Sequence, residues 1–158
     1  MHLVRADLVV VGSLSSEIAA VCGDYERRLT RYVKLQVHEV KAEPTARGEA
    51  VVLRAEGGRL LDVLDRLARQ VAEPTTVVAL DSRGSQPTTE ELAAQLLAPG
   101  HLCLIVGGTM GLPDGVLARA SSRIAFGRIT LPHQLARVVI TEQLYRSFRI
   151  ARGEPYHF

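Results

Sequence analysis

The sequence of 158 residues contains no tryptophan, and aromatic residues make up only 4% of it. Its core must therefore be built from aliphatic side chains, in keeping with a hydrophobic content of 47%. Cysteine is also scarce, with Cys22 and Cys103 far apart and in apolar surroundings. This usage excludes a disulfide framework or a paired metal site, and it indicates small buried residues in a reducing compartment.

Long hydrophobic runs are missing as well. No apolar run approaches the roughly 20 residues that a membrane-spanning helix needs. The apolar stretch at residues 8–11 is too short for the hydrophobic region of a signal peptide and has no cleavage pattern after it. These absences predict a cytoplasmic protein with no membrane partner.

The sequence also lacks a large excess of either charge. It has 19 basic and 17 acidic residues, which give a net charge of +2. A value this small does not by itself indicate a nucleic-acid-binding protein. The basic residues are concentrated towards the end, where seven arginines from Arg119 onward stand against Glu142 and Glu154. On charge alone, a solubilising surface is the simpler interpretation.

Short apolar runs alternate along the chain with helical patterns. We predict strands at residues 8–11, 33–40, 76–80, 101–106 and 124–131, each followed by a helix. Thr88 and Glu91 have the spacing of a capping box, and Pro132 begins the last helix. The resulting βαβαβαβαβα order predicts an α/β fold with a mostly parallel sheet and helices on both faces. No linker divides the chain, so residues 1–158 are predicted to form a single domain.

In such a sheet the ligand lies beyond the carboxyl ends of the strands. Three strand exits are therefore candidate binding segments: residues 80–84, 107–111 and 130–133. The glycines of the second exit favour close approach to a ligand, but their spacing matches neither a dinucleotide fingerprint nor a P-loop. The five histidines and two cysteines show no metal-ligand spacing, so no metal is predicted.

The last helix has apolar residues on nearly every side, which predicts burial on several sides. A second copy of the chain is one candidate for the additional partner, and the amino-terminal helix is the other. We favour a homodimer through this helix, with Leu144 and Phe148 as interface residues.

Several ordered motifs resemble one known family. They are VGG-x-x-GL after the fourth strand, the block LPHQLARVVITEQLYRSFRI, the ending GEPYH, and the earlier segments DYERRL and EGGRLL. Together these segments, which span essentially the whole chain, resemble the RlmH family. That family consists of bacterial N3-methyltransferases of pseudouridine in 23S ribosomal RNA, within the SPOUT class.

The resemblance implies an α/β knot, S-adenosylmethionine as cofactor, and a homodimer that acts on the assembled ribosome. It also implies that the cofactor is bound by Leu80, Gly107, Phe126, Gly127, Arg128, Ile129, Thr130 and Leu131. His133 and Arg137 are candidate catalytic residues, respectively for moving a proton and for stabilising charge on the uracil carbonyls. Arg137, Tyr156 and His157 are candidates for contacting the RNA.

The chain departs from the family at its last residue, where Phe158 replaces the usual basic residue. This difference concerns substrate affinity more than reaction type. It leaves open a ribosome-binding factor that has the same fold but little turnover. A SPOUT methyltransferase acting on transfer RNA is the other alternative.

Overall fold

A computed structural model describes residues 2–156, which are built around a five-stranded sheet. The strands are β1 (Arg5–Val11), β2 (Lys34–Val40), β3 (Thr75–Ser85), β4 (His101–Val106) and β5 (Ser122–Ile124). They lie in the order β2-β1-β4-β3-β5, and every neighbouring pair is parallel. The predicted α/β class is therefore confirmed.

Five helices cover the two faces of this sheet. They are α1 (Ser16–Leu29), α2 (Glu49–Gln70), α3 (Thr89–Leu97), α4 (Asp114–Leu117) and α5 (His133–Ala151). Helices α1, α3 and α5 pack with Leu8 and Val10 on one face, and α2 and α4 pack with Val9 and Val11 on the other. Alternate residues of β1 thus enter opposite cores, as the period of two in a strand requires.

The predicted capping box at the start of α3 is confirmed. The Thr88 hydroxyl accepts a hydrogen bond from the Glu91 backbone N–H at 3.2 Å. The Glu91 carboxylate accepts one in return from the Thr88 N–H at 2.8 Å. Caps of this kind contribute about 1 kcal/mol, and this one starts α3 directly after the exit segment of β3.

Helix α2 continues through Gly57 and Gly58, although two glycines in a helix interior are unfavourable. A Cβ at Gly57 would lie 2.6 Å from the ring of Pro113, so only glycine lets α2 approach the start of α4. Gly58 is exposed, and a Cβ there would meet nothing within 4 Å. One glycine therefore serves packing, while the other only weakens the helix.

The prediction for the last strand was wrong in length. Strand β5 ends at Ile124, and residues 125–132 form an irregular segment that includes Gly127 at φ +94°. Ile129, which we had placed in a buried strand, is 71% exposed. Within residues 2–156, β5 lies at the edge of the sheet and pairs only with β3. This pairing is irregular between Leu80 and Ser85, so the strand does not continue beyond Ile124.

The interpretation of α5 also needs correction. Leu144 and Phe148 are fully buried against the sheet, so they are core residues and not interface residues. α5 lies between α1 and α3, and this arrangement accounts for much of its apolar circumference. The amino-terminal helix, which was the alternative to a second copy, thus covers one side.

Candidate functional site

An open pocket of about 760 Å³ lies at the carboxyl edge of the sheet, where the sequence places the three candidate exits. Its volume falls within the range of ligand pockets, roughly 300–1,000 Å³. All three exits contribute to its walls, together with the beginning of α5. The lining residues include Leu80, Asp81, Ser82, Gly107 to Leu112, Ile124 to Phe126, and Ile129 to His133.

The turn after β4 forms one wall of the pocket. A Cβ on Gly107 would lie 2.7 Å from the carbonyl oxygen of Gly111 and 3.0 Å from Leu112. Gly111 has φ +79°, and its N–H donates to the carbonyl of Gly108 at 3.0 Å. The turn is closed tightly on itself, so its backbone can come close to a bound ligand without intervening side chains.

Glu56 lies against this turn from α2, a position that sequence reasoning missed. It is 3% exposed, and a Cβ on Gly108 would lie 2.9 Å from its Oε1 atom. Its Oε2 accepts the backbone N–H of Glu43 at 2.9 Å, whereas Oε1 has no hydrogen-bond partner among the described residues. The EGGRLL segment contained this glutamate, but no periodicity or spacing indicated its proximity to the turn.

Most of the predicted cofactor residues line the pocket. Leu80, Gly107, Phe126, Ile129, Thr130 and Leu131 all do so. Gly127 lines a smaller neighbouring cavity between α3 and α5, and Phe126 borders both. Arg128 is exposed and lies outside the lining of either cavity.

The titratable side chains that line the pocket, within residues 2–156, are His133 and Asp81. His133 is the first residue of α5, and its Nε2 faces Gly12 at the exit of β1, 4.0 Å from where a Cβ would lie. Asp81 follows Leu80 on β3, within the predicted exit segment 80–84, but the sequence analysis did not name it among the site residues. Its signal was its position directly after a strand residue already assigned to the cofactor.

Arg137 lies one turn further along α5 than His133 and is buried, with 7% of its surface exposed. Its Nη1 donates to Glu39 at 2.7 Å, and its Nη2 lies 3.8 Å from Glu26. Burial raises the pKa of Glu26, which Arg137 partly offsets. The Nε of Arg137 has no hydrogen-bond partner in the described part of the chain. Within this chain Arg137 is thus next to the pocket but outside its lining.

Tyr156 lies against the outer side of α5, away from the pocket. Its hydroxyl donates to Glu142 at 3.0 Å, and its ring packs edge-on against Tyr145 with centroids 4.9 Å apart. Burial and the hydrogen bonds with Tyr25 and Glu142 raise the pKa of Tyr156 above its usual value, so it remains a phenol. The structure does not bring Tyr156 to His133, and His157 and Phe158 lie outside the described residues.

A second polar cluster lies at the amino edge of the sheet. Asp7 and His101 are fully buried, with His101 Nε2 2.7 Å from Asp7 Oδ2 and His101 Nδ1 2.8 Å from Thr75. The other Asp7 oxygen is 2.7 Å from His38 Nε2, and Arg5 also donates to this carboxylate. Every one of these groups therefore has a partner.

Asp7 and His101, with Cys103, also have the proximity of metal ligands, since their ligand atoms lie within 4.8 Å of one another. The hydrogen bonds described above already occupy Asp7 and His101, however. Burial raises the pKa of Cys103 to about 12, which keeps it a thiol near neutral pH. The cluster is arranged as a closed hydrogen-bond network, and the absence of a metal remains a prediction.

Fold and pocket together define an α/β protein whose ligand pocket lies beyond the carboxyl ends of parallel strands. The family model described as "Predicted SPOUT methyltransferase" matches residues 4–157. The chain belongs to this methyltransferase family, and a methyl donor is thereby implied.

Two curated relatives named ribosomal RNA large subunit methyltransferase H are similar over nearly their full lengths. The protein from Rubrobacter xylanophilus is 46% identical over 162 residues, which cover 98% of each chain. The protein from Listeria welshimeri is 38% identical over 157 residues, covering 95% of this chain and 97% of its own.

The fold also matches a solved structure, "a probable methylase family protein" from Haemophilus influenzae. The TM-score is 0.58 at 13% sequence identity, with 98% of this chain and 71% of that chain covered. At this identity the likeness concerns the fold alone. Within the described residues, none of the helices has both the length and the apolar character needed to cross a membrane.

Proposed function

We propose that this protein transfers a methyl group from S-adenosylmethionine to N3 of a pseudouridine in 23S ribosomal RNA of the assembled ribosome. The main support is the pocket built from three strand exits in a chain 46% identical to a ribosomal RNA large subunit methyltransferase. In this proposal residues 1–158 are one catalytic domain that works in the cytoplasm, and its α/β knot remains a prediction.

The lining of the pocket fits S-adenosylmethionine. Leu80, Ile129 and Leu131 supply apolar surface for an adenine ring, and the glycine turn supplies backbone donors and acceptors. A Cβ on Gly107 would lie 2.7 Å from the Gly111 carbonyl oxygen, so the tight turn requires glycine at this position. When bound, this cofactor supplies an activated methyl group on a sulfonium. Thr130, Phe126 and Gly107 would hold it, whereas Gly127 and Arg128 would support the loop that carries these contacts.

Methylation at N3 requires that the imide N–H lose its proton and that the nitrogen be aligned with the methyl group. His133 lies at the pocket and offers an imidazole to accept that proton. Holding the two reactants in line lowers the activation free energy by several kcal/mol. The pocket walls, which align the reactants, therefore have as large a role as the base.

Arg137 is proposed to stabilise negative charge on the uracil carbonyls. Its position supports this role, because Arg137 directly follows the pocket residue Ala136 and lies one helical turn from the pocket residue His133. Tyr156 and His157 are proposed to contact the RNA outside the pocket of their own chain.

We retain the proposal of a homodimer, now on the outer side of α5 and the neighbouring α1. Leu135 of α5 is 42% exposed and Val21 of α1 is 45% exposed, so apolar surface remains on these adjacent helices. Leu135→Asp is expected to give monomers in sedimentation equilibrium. Val4→Asp is the control, because Val4 is exposed before β1 at the opposite edge of the sheet. A Leu135→Asp protein that remains dimeric would contradict this interface.

The proposed reaction is tested with assembled ribosomes from cells lacking the modification. Mass spectrometry of the 23S RNA should show one added methyl on the pseudouridine, and His133→Ala should lower kcat with little change in cofactor affinity. A methyl found on transfer RNA would support that alternative substrate. Binding to ribosomes without any methyl transfer would support the ribosome-binding factor.

A further inference from the structure

Two arginines are held together at the rim of the pocket by a close approach of two backbones. Gly84 in β3 lies so near β5 that a Cβ there would be 2.6 Å from the carbonyl carbon of Arg123. The Ser85 hydroxyl donates to the Arg123 carbonyl at 3.1 Å, and the N–H of Ala125 donates to the Ser85 carbonyl at 2.8 Å. These contacts place Arg83 and Arg123 on adjoining stretches of backbone.

Both guanidinium groups are directed to one carboxylate, that of the pocket residue Asp81. Arg83 Nε lies 3.4 Å from Asp81 Oδ1, and Arg123 Nη1 lies 3.8 Å from Asp81 Oδ2. These are long ion-pair distances, and the side chains of Arg83 and Arg123 are 68% and 44% exposed. Each arginine therefore keeps N–H donors available to solvent.

Arg128 adds a third cation on the irregular segment that lines the pocket. It is exposed, and within residues 2–156 no hydrogen bond or ion pair involves its side chain. Arg83 and Arg123 thus contact the pocket residue Asp81. Arg128 directly precedes another pocket residue, Ile129. The rest of the chain is balanced in charge. Arginines concentrated beside a pocket therefore indicate a binding surface more than a solubilising one.

We infer that Arg83, Arg123 and Arg128 form a phosphate-binding rim that holds the RNA backbone over the cofactor pocket. Guanidinium groups bind phosphate oxygens through paired N–H donors, and such contacts position a nucleic acid without reading its sequence. The long contacts to Asp81 orient Arg83 and Arg123 and leave donors available for phosphate. This inference rests on the proposed function, because it assigns the same pocket an RNA substrate.

The test compares R83A/R123A with the wild type in methyl transfer to assembled ribosomes that lack the modification. The KM for ribosomes is expected to rise at least tenfold, while the Kd for S-adenosylmethionine in calorimetry stays unchanged. The slope of log affinity against log salt should fall by about 0.7 to 0.9 for each arginine removed. Adding Arg128→Ala should lower that slope further.

Two controls separate charge at the rim from general effects. Arg119→Ala also removes an exposed arginine that is paired with an aspartate, since Arg119 lies 2.8 Å from Asp65 of α2. This pair is on the side of α2, so the variant should leave KM unchanged. R83K/R123K retains the charge and should retain the salt slope. If the lysine pair loses the slope as the alanine pair does, the arginines act through local structure and the inference is overturned.

The outcomes also distinguish this inference from the proposed function. A wild-type protein that binds no S-adenosylmethionine, or that methylates no ribosomal RNA, contradicts the proposed function and the rim with it. If the wild type methylates ribosomes and R83A/R123A has the same KM and salt slope as the wild type, the rim alone is contradicted. A matching loss of cofactor affinity in R83A/R123A would show that the arginines act on the pocket through Asp81, and it would also overturn the rim.

Discussion

At the amino edge of the sheet His101 and Asp7 are wholly buried and bonded to each other, whereas at the carboxyl edge His133 and Asp81 line an open pocket. The two edges thus offer the same residue types. At the amino edge each polar group has a partner within the protein. At the carboxyl edge the contacts of the Asp81 carboxylate with the described residues are long ones to arginines, and a cavity lies beside it.

This difference shows why residue type is a poor guide to a site. The cluster of Asp7, His101 and Cys103 has the proximity of a metal site, but hydrogen bonds close it. The pocket has fewer titratable groups, yet it has glycine backbone, apolar walls and a rim of cations. Available space and unpaired donors distinguish the two edges better than the identity of the side chains does.

The largest loss of stability at the amino edge is expected from Asp7→Ala. It removes the acceptor shared by Arg5, His38 and His101, so buried polar groups lose their partner. We expect a loss of about 3 kcal/mol in the free energy of unfolding, measured in urea. Asp24→Ala, which breaks half-exposed ion pairs on α1, should cost less than about 1 kcal/mol. Equal losses in the two variants would contradict the closed network.

At the carboxyl edge the corresponding change is Gly107→Ala. Its Cβ would lie 2.7 Å from the Gly111 carbonyl oxygen, so the turn must shift and its backbone can no longer approach a ligand. We expect the Kd for S-adenosylmethionine to rise tenfold or more in calorimetry, a change of about 1.4 kcal/mol. Wild-type affinity in a folded Gly107→Ala protein would show that the turn is not part of the cofactor site.

The amino edge should also be sensitive to acid. Burial alone would raise the pKa of Asp7, but the hydrogen bonds from Arg5, His38 and His101 outweigh it, so the pKa lies below its usual value. The carboxylate therefore contributes stability that is present above the unfolded-state pKa of about 3.9 and is lost as the pH falls through the lower folded-state pKa. Asp7→Asn should flatten this acid limb in urea titrations at successive pH values. Parallel curves for Asp7→Asn and wild type would contradict this.

The smallest expected effect is at the paired glycines of α2, which contacts the glycine turn through Glu56. Gly58→Ala should stabilise the protein by about 0.5–1 kcal/mol, because an exposed glycine in a helix loses more backbone entropy than alanine does. Gly57→Ala should destabilise it, because its Cβ would meet the Pro113 ring. Thermal unfolding of the two variants measures the difference, and shifts of the same sign would contradict the packing described here.

Local sequence patterns predicted much of the fold. The alternation of apolar runs with helical patterns predicted the parallel sheet, the spacing of Thr88 and Glu91 predicted the capping box, and Pro132 predicted the start of α5. These features depend on neighbours close in sequence, on alternation, or on a local cap. Periodicity failed at residues 125–131, because an apolar run without a paired neighbour need not form a strand. It also failed at Leu144 and Phe148, because the apolar circumference of a helix does not show which neighbour covers each side.

For the site, the sequence by itself determined which strand exits could bind a ligand, and its ordered motifs determined the family. Of the residues predicted in this way, Leu80, Gly107, Phe126, Ile129, Thr130 and Leu131 line the pocket, and their role in binding the cofactor stays a prediction. Only the tertiary structure decided that Glu56 lies against the glycine turn, that Asp81 joins Arg83 to Arg123, and that Arg137 is held by two glutamates. The physical reason is that these contacts join segments far apart in the chain, and their distances depend on how the helices and strands pack.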